Sequence, residues 1–261
     1  MTIAVTAAPL MRISKIDKYF GGLHAVNSLS FDVTPGIIKA VIGPNGAGKT
    51  TMFNMIAGYY PPSSGSVHFN DKLITGMKPF KVAEQGLLRT FQNLKLCSNL
   101  SVLDNILLGR HTRSKAGFGA GMLSTQKSRV EERHSVEKVI PLLEWLSIMD
   151  KKDTLVGNLS FGEQRSVELA RALAAEPEML LLDEPAAGLN MHETEDLAGR
   201  ISELRAQGRT ILLVEHDMSL VMDISDEIVV LNFGVKIAEG IPSEIQNNEE
   251  VIRIYLGGDD A

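Results

Sequence analysis

Residues 43–50 read Gly-Pro-Asn-Gly-Ala-Gly-Lys-Thr, a Gly-x-x-x-x-Gly-Lys-Thr run of the kind that cradles a chain of phosphates. Gly43, Gly46 and Gly48 let the backbone curl until successive N–H groups point at phosphate oxygens. Pro44, Asn45 and Ala47 complete the loop, and Thr51 follows it. Lys49 can reach the β- and γ-phosphates, and the Thr50 hydroxyl can ligate magnesium. The apolar residues 37–42 predict a buried strand before the loop, and residues 51–57 predict a helix after it. Strand, loop and helix in that order are the context the motif requires, and the helix N-terminus adds partial positive charge. A Gly-rich turn with a solvated lysine is the plain alternative. It loses because further elements follow in the right order.

The second element is Met179-Leu180-Leu181-Leu182-Asp183-Glu184, an unbroken apolar strand that ends in two carboxylates. In open α/β sheets ligand chemistry sits at the carboxyl ends of such strands. Asp183 is then expected to hold magnesium through water, and Glu184 to orient and deprotonate an attacking water. The third element is Leu159-Ser160-Phe161-Gly162-Glu163-Gln164 ahead of a helical run. Ser160 and Glu163 have the spacing of a capping box, so an ordinary helix start accounts for part of the pattern. A Ser hydroxyl and the Gly162 N–H at a helix N-terminus also make an anion site. Two anion sites on one small chain, one lacking a lysine, predict that the second grips a nucleotide held by another copy.

The elements that must carry these groups follow from the rest of the chain. Its 261 residues suit one large domain or a core with an appended lobe, and 44% hydrophobic residues can fill a sizeable core. A net charge of −6 argues against a nucleic-acid-binding surface. Cys97 is the only cysteine, which excludes an intrachain disulfide and fits a reducing compartment. No apolar run approaches the ~18–20 residues that crossing a bilayer takes. The first nine residues lack a basic region and end in Pro9, so they read as a frayed terminus and not a signal peptide. Residues 10–40 alternate apolar and polar, with turns at Gly21-Gly22 and Pro35-Gly36, and predict antiparallel strands. Residues 99–150 are helical in pattern, broken by a glycine-rich flexible loop at 114–121. Strands and helices alternate from 160 to 231, which predicts a parallel sheet flanked by helices.

Taken together these motifs resemble the ATP-binding subunits of ABC transporters, over residues 11–257. Leu-Ser-Phe-Gly-Glu-Gln is a variant of that family's Leu-Ser-Gly-Gly-Gln, with Phe161 at the first glycine position. The resemblance implies an α/β fold: a P-loop, RecA-like parallel-sheet core with an antiparallel β subdomain and a helical subdomain. It implies one nucleotide-binding domain over 10–257. The core and β lobe would span about 10–92 and 155–240, the helical lobe about 93–175, and a C-terminal helical segment about 241–257. It implies ATP and magnesium as cofactors, and two such domains sandwiching two ATPs head to tail, with Ser160, Gly162 and Glu163 facing the nucleotide of the other subunit. Gln92 matches the glutamine that reaches magnesium and the attacking water, and His216 the histidine that senses the γ-phosphate. Phe20 matches the aromatic that stacks on adenine, with Tyr19 the competing candidate, and Val26 joins the same nucleotide contact. Asn190 stands where many members carry Asp.

Finer features are similar to the ATPases of bacterial branched-chain amino-acid importers. They are Phe20-Gly21-Gly22-Leu23-His24-Ala25-Val26, Arg89-Thr90-Phe91-Gln92-Asn93, residues 185–190, Glu215-His216-Asp217-Met218, the insertion around 112–132 and the end at 247–257. Urea-importer and lipopolysaccharide-export ATPases share parts of this pattern. A chromosome-type ABC ATPase would need a long coiled coil between loop and signature, where only about 110 residues without sustained heptads intervene. A ribosome-type member would carry two cassettes, and a switch GTPase would carry Asn-Lys-x-Asp, which is absent. The implied partners are polytopic membrane permease subunits, a second ATP-binding subunit and, indirectly, a periplasmic solute-binding protein, with no nucleic acid. The implied location is cytoplasmic, peripheral on the inner face of the cell membrane. Leu94, Leu96, Leu100, Val102, Leu103 and Ile106 make 93–110 the expected docking segment, with core packing as the alternative.

Overall fold

The computed structural model describes residues 8–90, 95–110 and 126–256. Gln92, the glycine-rich loop at 114–121 and residues 1–7 of the expected frayed terminus lie outside the described residues, as do Asn93 and Leu94. The chain divides into two compact units, residues 1–89 with 178–261, and residues 90–177.

The first unit is built on two sheets. Strands β1 (Met11–Phe20), β2 (Leu23–Val33), β4 (Ser64–Phe69) and β5 (Lys72–Leu73) form one sheet in the order β2-β1-β4-β5, antiparallel throughout. Burial along β1 is intermittent, with Met11, Ile13 and Ile16 inside and Arg12 and Lys15 outside, as expected of a sheet wet on one face. The second sheet runs β10-β9-β3-β8-β7-β6, from β3 (Ile38–Ile42), β6 (Leu87–Arg89), β7 (Met179–Asp183), β8 (Thr210–Val214), β9 (Glu227–Asn232) and β10 (Val235–Gly240). All neighbours are parallel except β9 and β10, which form a hairpin. β3, β7 and β8 are buried at every residue, which is why their sequences are mostly apolar, with Lys39 of β3 the one charged residue inside a strand among them.

The helices of this unit are α1 (Lys49–Ile56), α2 (Pro79–Glu84), α6 (Met191–Ala206), α7 (Met218–Ile224), α8 (Pro242–Gln246) and α9 (Glu249–Leu256). One core holds Met11, Ile13 and Phe69 of the antiparallel sheet, Phe53 of α1, and Val41, Leu181 and Leu212 of the parallel sheet. A second core on the other face holds Ala40, Ile42, Val221, Val230, Ile245 and Val251, so the last two helices are packed on β3 and β9.

The second unit contains α3 (Val102–Gly109), α4 (Gln126–Trp145) and α5 (Phe161–Ala174), which pack on one another. Gly109 permits the closest approach: a Cβ there would lie 2.0 Å from the Arg171 carbonyl oxygen on α5. Asn105 is fully buried and is satisfied on both ends of its amide. Its Oδ1 accepts from the Cys97 N–H at 2.8 Å, and its Nδ2 donates to the Cys97 and Ser101 carbonyls at 3.0 and 2.9 Å. Val102 and Ile106 are buried, whereas Leu96, Leu100 and Leu103 are half-buried. The segment is thus divided between packing and surface. No described helix is long and apolar enough to cross a membrane.

Lys39 sits inside β3 at 2% exposure. Its ammonium donates to the Asp32 carbonyl at 2.6 Å and to the carboxylates of Glu227 on β9, at 2.8 Å, and Glu239 on β10. This one cation fastens β2, β3, β9 and β10 together. Replacing it leaves two carboxylates facing each other without a counter-charge. Lys39→Met is expected to cost about 2 kcal/mol, which for a chain of this size lowers Tm by roughly 4–8 °C. Differential scanning fluorimetry checks it, and an unchanged Tm refutes the clasp.

Candidate functional site

The register of the parallel sheet decides where the chemistry gathers. Val41 of β3 and Asp183 of β7 both pair with Val214 of β8. The chain therefore leaves three neighbouring strands at one edge, through Gly43, Glu184 and Glu215. Ligand sites of open α/β sheets form at that edge.

At β3 the loop 43–48 turns into α1. Gly43 has φ 152° and lies so close to β9 that a Cβ would fall 2.1 Å from the Leu231 carbonyl oxygen. Gly48 caps α1 with φ 98°, and a Cβ there would lie 2.6 Å from the Ala25 carbonyl oxygen. These are the two loop positions where any larger residue collides with backbone. Lys49 folds its ammonium back onto the loop, donating to the Gly43 and Pro44 carbonyls at 2.6 and 3.0 Å. Burial lowers its pKa, and the charges of Glu184 and Asp183 oppose that shift. Both carboxylates are therefore within the electrostatic reach of Lys49.

A cleft of about 410 Å³ lies over this loop. Asn45, Gly46, Ala47, Gly48, Lys49, Thr50 and Thr51 line it, with Glu184 and, on the apolar side, Phe20, Leu23, Ala25 and Phe233. Phe20 stands edge-on to Tyr60, with ring centroids 5.7 Å apart, and Lys18 lies over its ring. Tyr19 instead stacks on His24 at 3.9 Å and is not part of the lining. Val26, expected in the nucleotide contact, is fully buried beneath Gly48, and its neighbour Ala25 lines the cleft in its place. Leu23, His24 and Ala25 all line the cleft, and Val26 turns inward to support Gly48 from beneath. A larger groove of about 850 Å³ between α6 and α7 contains none of the loop residues.

At β7, Asp183 is 1% exposed. Its Oδ2 accepts from Arg89 at 2.6 Å, and its Oδ1 is buried without a hydrogen-bond partner among the described residues. Glu184 follows with φ 47°, a left-handed conformation that costs a non-glycine residue of order 1–3 kcal/mol and is concentrated at functional sites. Its N–H donates to the Val214 carbonyl at 2.8 Å, which holds the turn in place. At β8, Glu215 is 1% exposed and acts as a bracket. Its carboxylate accepts from the Ala186 N–H at 2.8 Å and from the His216 N–H at 3.0 Å. His216 is largely exposed, with Nδ1 4.0 Å from a Glu184 oxygen and 3.9 Å from a Glu215 oxygen. That spacing is too long for a direct hydrogen bond and suits a group received between the two.

In the second unit Ser160 caps α5 within a complete capping box. The Ser160 N–H donates to Glu163 at 2.8 Å, and the Glu163 N–H returns a bond to Ser160 Oγ at 3.4 Å. Glu163 also pairs with Lys151, and the Phe161 ring lies under Arg165 at 5.3 Å. Ser160 and Phe161 are exposed and Gly162 is half-buried, so the turn is presented outward. Asn190 caps α6 in a second complete box with Glu193. Asn and Asp cap equally well, so the cap survives the change of residue type.

Arg89, Glu215, Phe233 and Tyr255 belong to the site without having been assigned a role from sequence. Only Glu215 left a signal, as a carboxylate closing an apolar strand. The Tyr255 hydroxyl shares a hydrogen bond with the Gly43 backbone, and burial pushes its pKa up to about 12.

Comparison with known proteins agrees with this geometry. A family model described as ABC transporter matches residues 26–187, and one described as branched-chain amino acid ATP-binding cassette transporter matches residues 235–261. The chain is 42% identical to the high-affinity branched-chain amino acid transport ATP-binding protein LivG of Escherichia coli K12, over 95% of this chain and 98% of the relative. It is 42% identical, with the same coverage, to BraF of Pseudomonas aeruginosa, and 35% identical to a probable LivG of Archaeoglobus fulgidus over 97% of both chains. A solved nucleotide-free ATP-binding cassette from an ABC transporter matches with a TM-score of 0.83 at 33% identity, covering 95% of this chain and 99% of the other. Another, in its ADP conformation, matches at TM-score 0.83 and 32% identity, covering 96% of this chain and all of the other. With phosphate loop, paired carboxylates and capped serine turn arranged as described, the chain belongs to the ABC transporter ATP-binding family, as an ATPase subunit with a P-loop α/β fold.

Proposed function

We propose that this subunit binds MgATP in the cleft over residues 45–51 and hydrolyses it to drive import of branched-chain amino acids through membrane permease subunits. The observation that carries the substrate class is the 42% identity to LivG and BraF over nearly the whole length of each, joined by the separate match of the C-terminal segment. In this reading the subunit sits at the inner face of the cell membrane. It pairs head to tail with a second ATP-binding subunit, and a periplasmic solute-binding protein delivers the cargo. Ser160, Gly162 and Glu163 then face the nucleotide held by the other subunit, where the outward-facing cap can receive an anion.

The residues divide the work as follows. The backbone amides of Gly46, Ala47, Gly48 and Lys49, with the N-terminus of α1, grip the phosphates. Lys49 releases its loop carbonyls and turns to the β- and γ-phosphates. Phe20 lies against the adenine, and Gly43 and Pro44 supply the close turn. The Thr50 hydroxyl, Gln92 and Asp183 would hold magnesium, Asp183 through water. Asp183 fits this task, because its Oδ1 is buried and unshared. Among the described residues no three His, Cys, Asp or Glu side chains are grouped to hold a metal by themselves. Magnesium is commonly bound by one or two carboxylates together with substrate phosphates, and Asp183 would be such a carboxylate. Once bound, magnesium neutralises charge on the phosphates. Glu184 accepts the proton of the attacking water, and Gln92 and His216 complete the water's surroundings.

Lys49→Ala is expected to abolish ATP turnover in the assembled transporter while leaving the fold intact; turnover within twofold of the parent defeats the loop assignment. Glu184→Gln is expected to bind ATP and lose hydrolysis by at least a hundredfold, because an amide cannot take the proton. Size-exclusion chromatography of this variant should give a larger species in ATP than in ADP. Normal hydrolysis removes Glu184 from the role of base. Leu96→Asp with Leu100→Asp is expected to stay folded and bind ATP but fail to co-purify with the permease subunits; a Tm several degrees lower with co-purification retained assigns both residues to packing. Uptake of labelled leucine, isoleucine and valine by the reconstituted transporter tests the substrate class. Uptake of urea in their place overturns it.

A further inference from the structure

Arg89 closes β6 beside β7, where it pairs in register with Leu181, two residues before Asp183. Its side chain is 9% exposed. One guanidinium nitrogen donates to Asp183 Oδ2 at 2.6 Å and the other to Asn54 Oδ1 at 2.6 Å. The rings of Phe53 and Tyr59 lie 5.7 and 5.6 Å from the guanidinium carbon and fix its plane. Asn54 is on α1, four residues after Thr50, and so lies on the same face one turn further along. The chain Asn54–Arg89–Asp183 thus ties the helix that carries Thr50 to the strand that carries Asp183.

We infer that Arg89 is a positioning residue for magnesium. This rests on the MgATP reading above. By occupying Oδ2, Arg89 leaves Oδ1 as the one unshared oxygen of the Asp183 carboxylate, and by holding Asn54 it sets the separation between that oxygen and the Thr50 hydroxyl. A planar guanidinium can make both bonds at once in fixed directions, and a lysine ammonium cannot reproduce that fork. Fold stability alone gives little reason for the arrangement. A buried ion pair is no more stabilising than well-packed apolar residues of the same volume. Its distinctive product is geometry.

The test is a magnesium titration of the assembled transporter with a fluorescent ATP analogue, for the parent and for Arg89→Lys, Arg89→Met and Asn54→Ala. Affinity in excess EDTA is expected to stay within twofold of the parent for all three. The magnesium concentration giving half the full increase in affinity is expected to rise at least tenfold for both Arg89 variants, and by a smaller factor for Asn54→Ala, which breaks one bond and keeps the ion pair. A purely structural role predicts a lower Tm with the half-point unchanged, and that outcome overturns the inference. So does a lower half-point, which would mean that the guanidinium mainly repels the ion. If Arg89→Met does not fold, the lysine and Asn54 variants decide the question. A parent whose affinity ignores magnesium refutes the MgATP reading itself. A responsive parent with equally responsive variants refutes only the role of Arg89.

Discussion

Every group in the cleft depends on the register in which β3, β8 and β7 lie side by side. These strands are buried on both faces, so their pairing is fixed by packing along the whole length, and each has little freedom to slide. A slip of one residue would send Asp183 to the opposite face of the sheet and carry Glu184 out of the turn that Val214 holds. The geometry of the candidate site is in this sense a by-product of how leucine, isoleucine and valine fill a core. The polar groups at the strand ends, Asp183, Glu184 and Glu215, do not set that register. They inherit it.

What they contribute is local order at the edge. Glu215 gathers the N–H groups of Ala186 and His216, so the turns after β7 and β8 are held by a single carboxylate. Lys39 does the same for four strands on the far side of β3. Such groups are worth more inside the protein than in water, and cost more if left unpaired. Asp183 Oδ1 is therefore an exception with a meaning: it is the buried carboxylate oxygen at this corner without a partner among the described residues, while Glu215 beside it is bonded. The positive φ of Glu184 is a second local cost at the same corner.

The architecture was largely legible in the sequence because buried parallel strands announce themselves as apolar runs, and the phosphate loop carries its own punctuation of glycine and lysine. Boundaries moved by a residue or two, with α1 starting at Lys49 in place of the expected residue 51. Phe20 lines the cleft and Tyr19 does not, a difference that two adjacent aromatics do not show in sequence. Val26 is buried under Gly48 and not in the cleft lining, because an apolar residue beside a site can support the loop from beneath, which sequence alone does not distinguish from facing the ligand. Arg89, Phe233 and Tyr255 left no local trace. Their partners are remote in sequence, and ordinary spacing rules see only near neighbours.

The hydrogen bond between Tyr255 and the Gly43 backbone has a consequence for the order of assembly. The loop emerges early in synthesis, yet its first glycine rests against Leu231 and against a tyrosine about 200 residues later, contacts of high sequence separation that close last. While the chain is still growing, the loop has its lysine and its helix but not the backbone on which Gly43 rests. The phosphate loop is local in sequence but not in support: its first glycine takes its place only when β9, about 190 residues on, is laid beside β3.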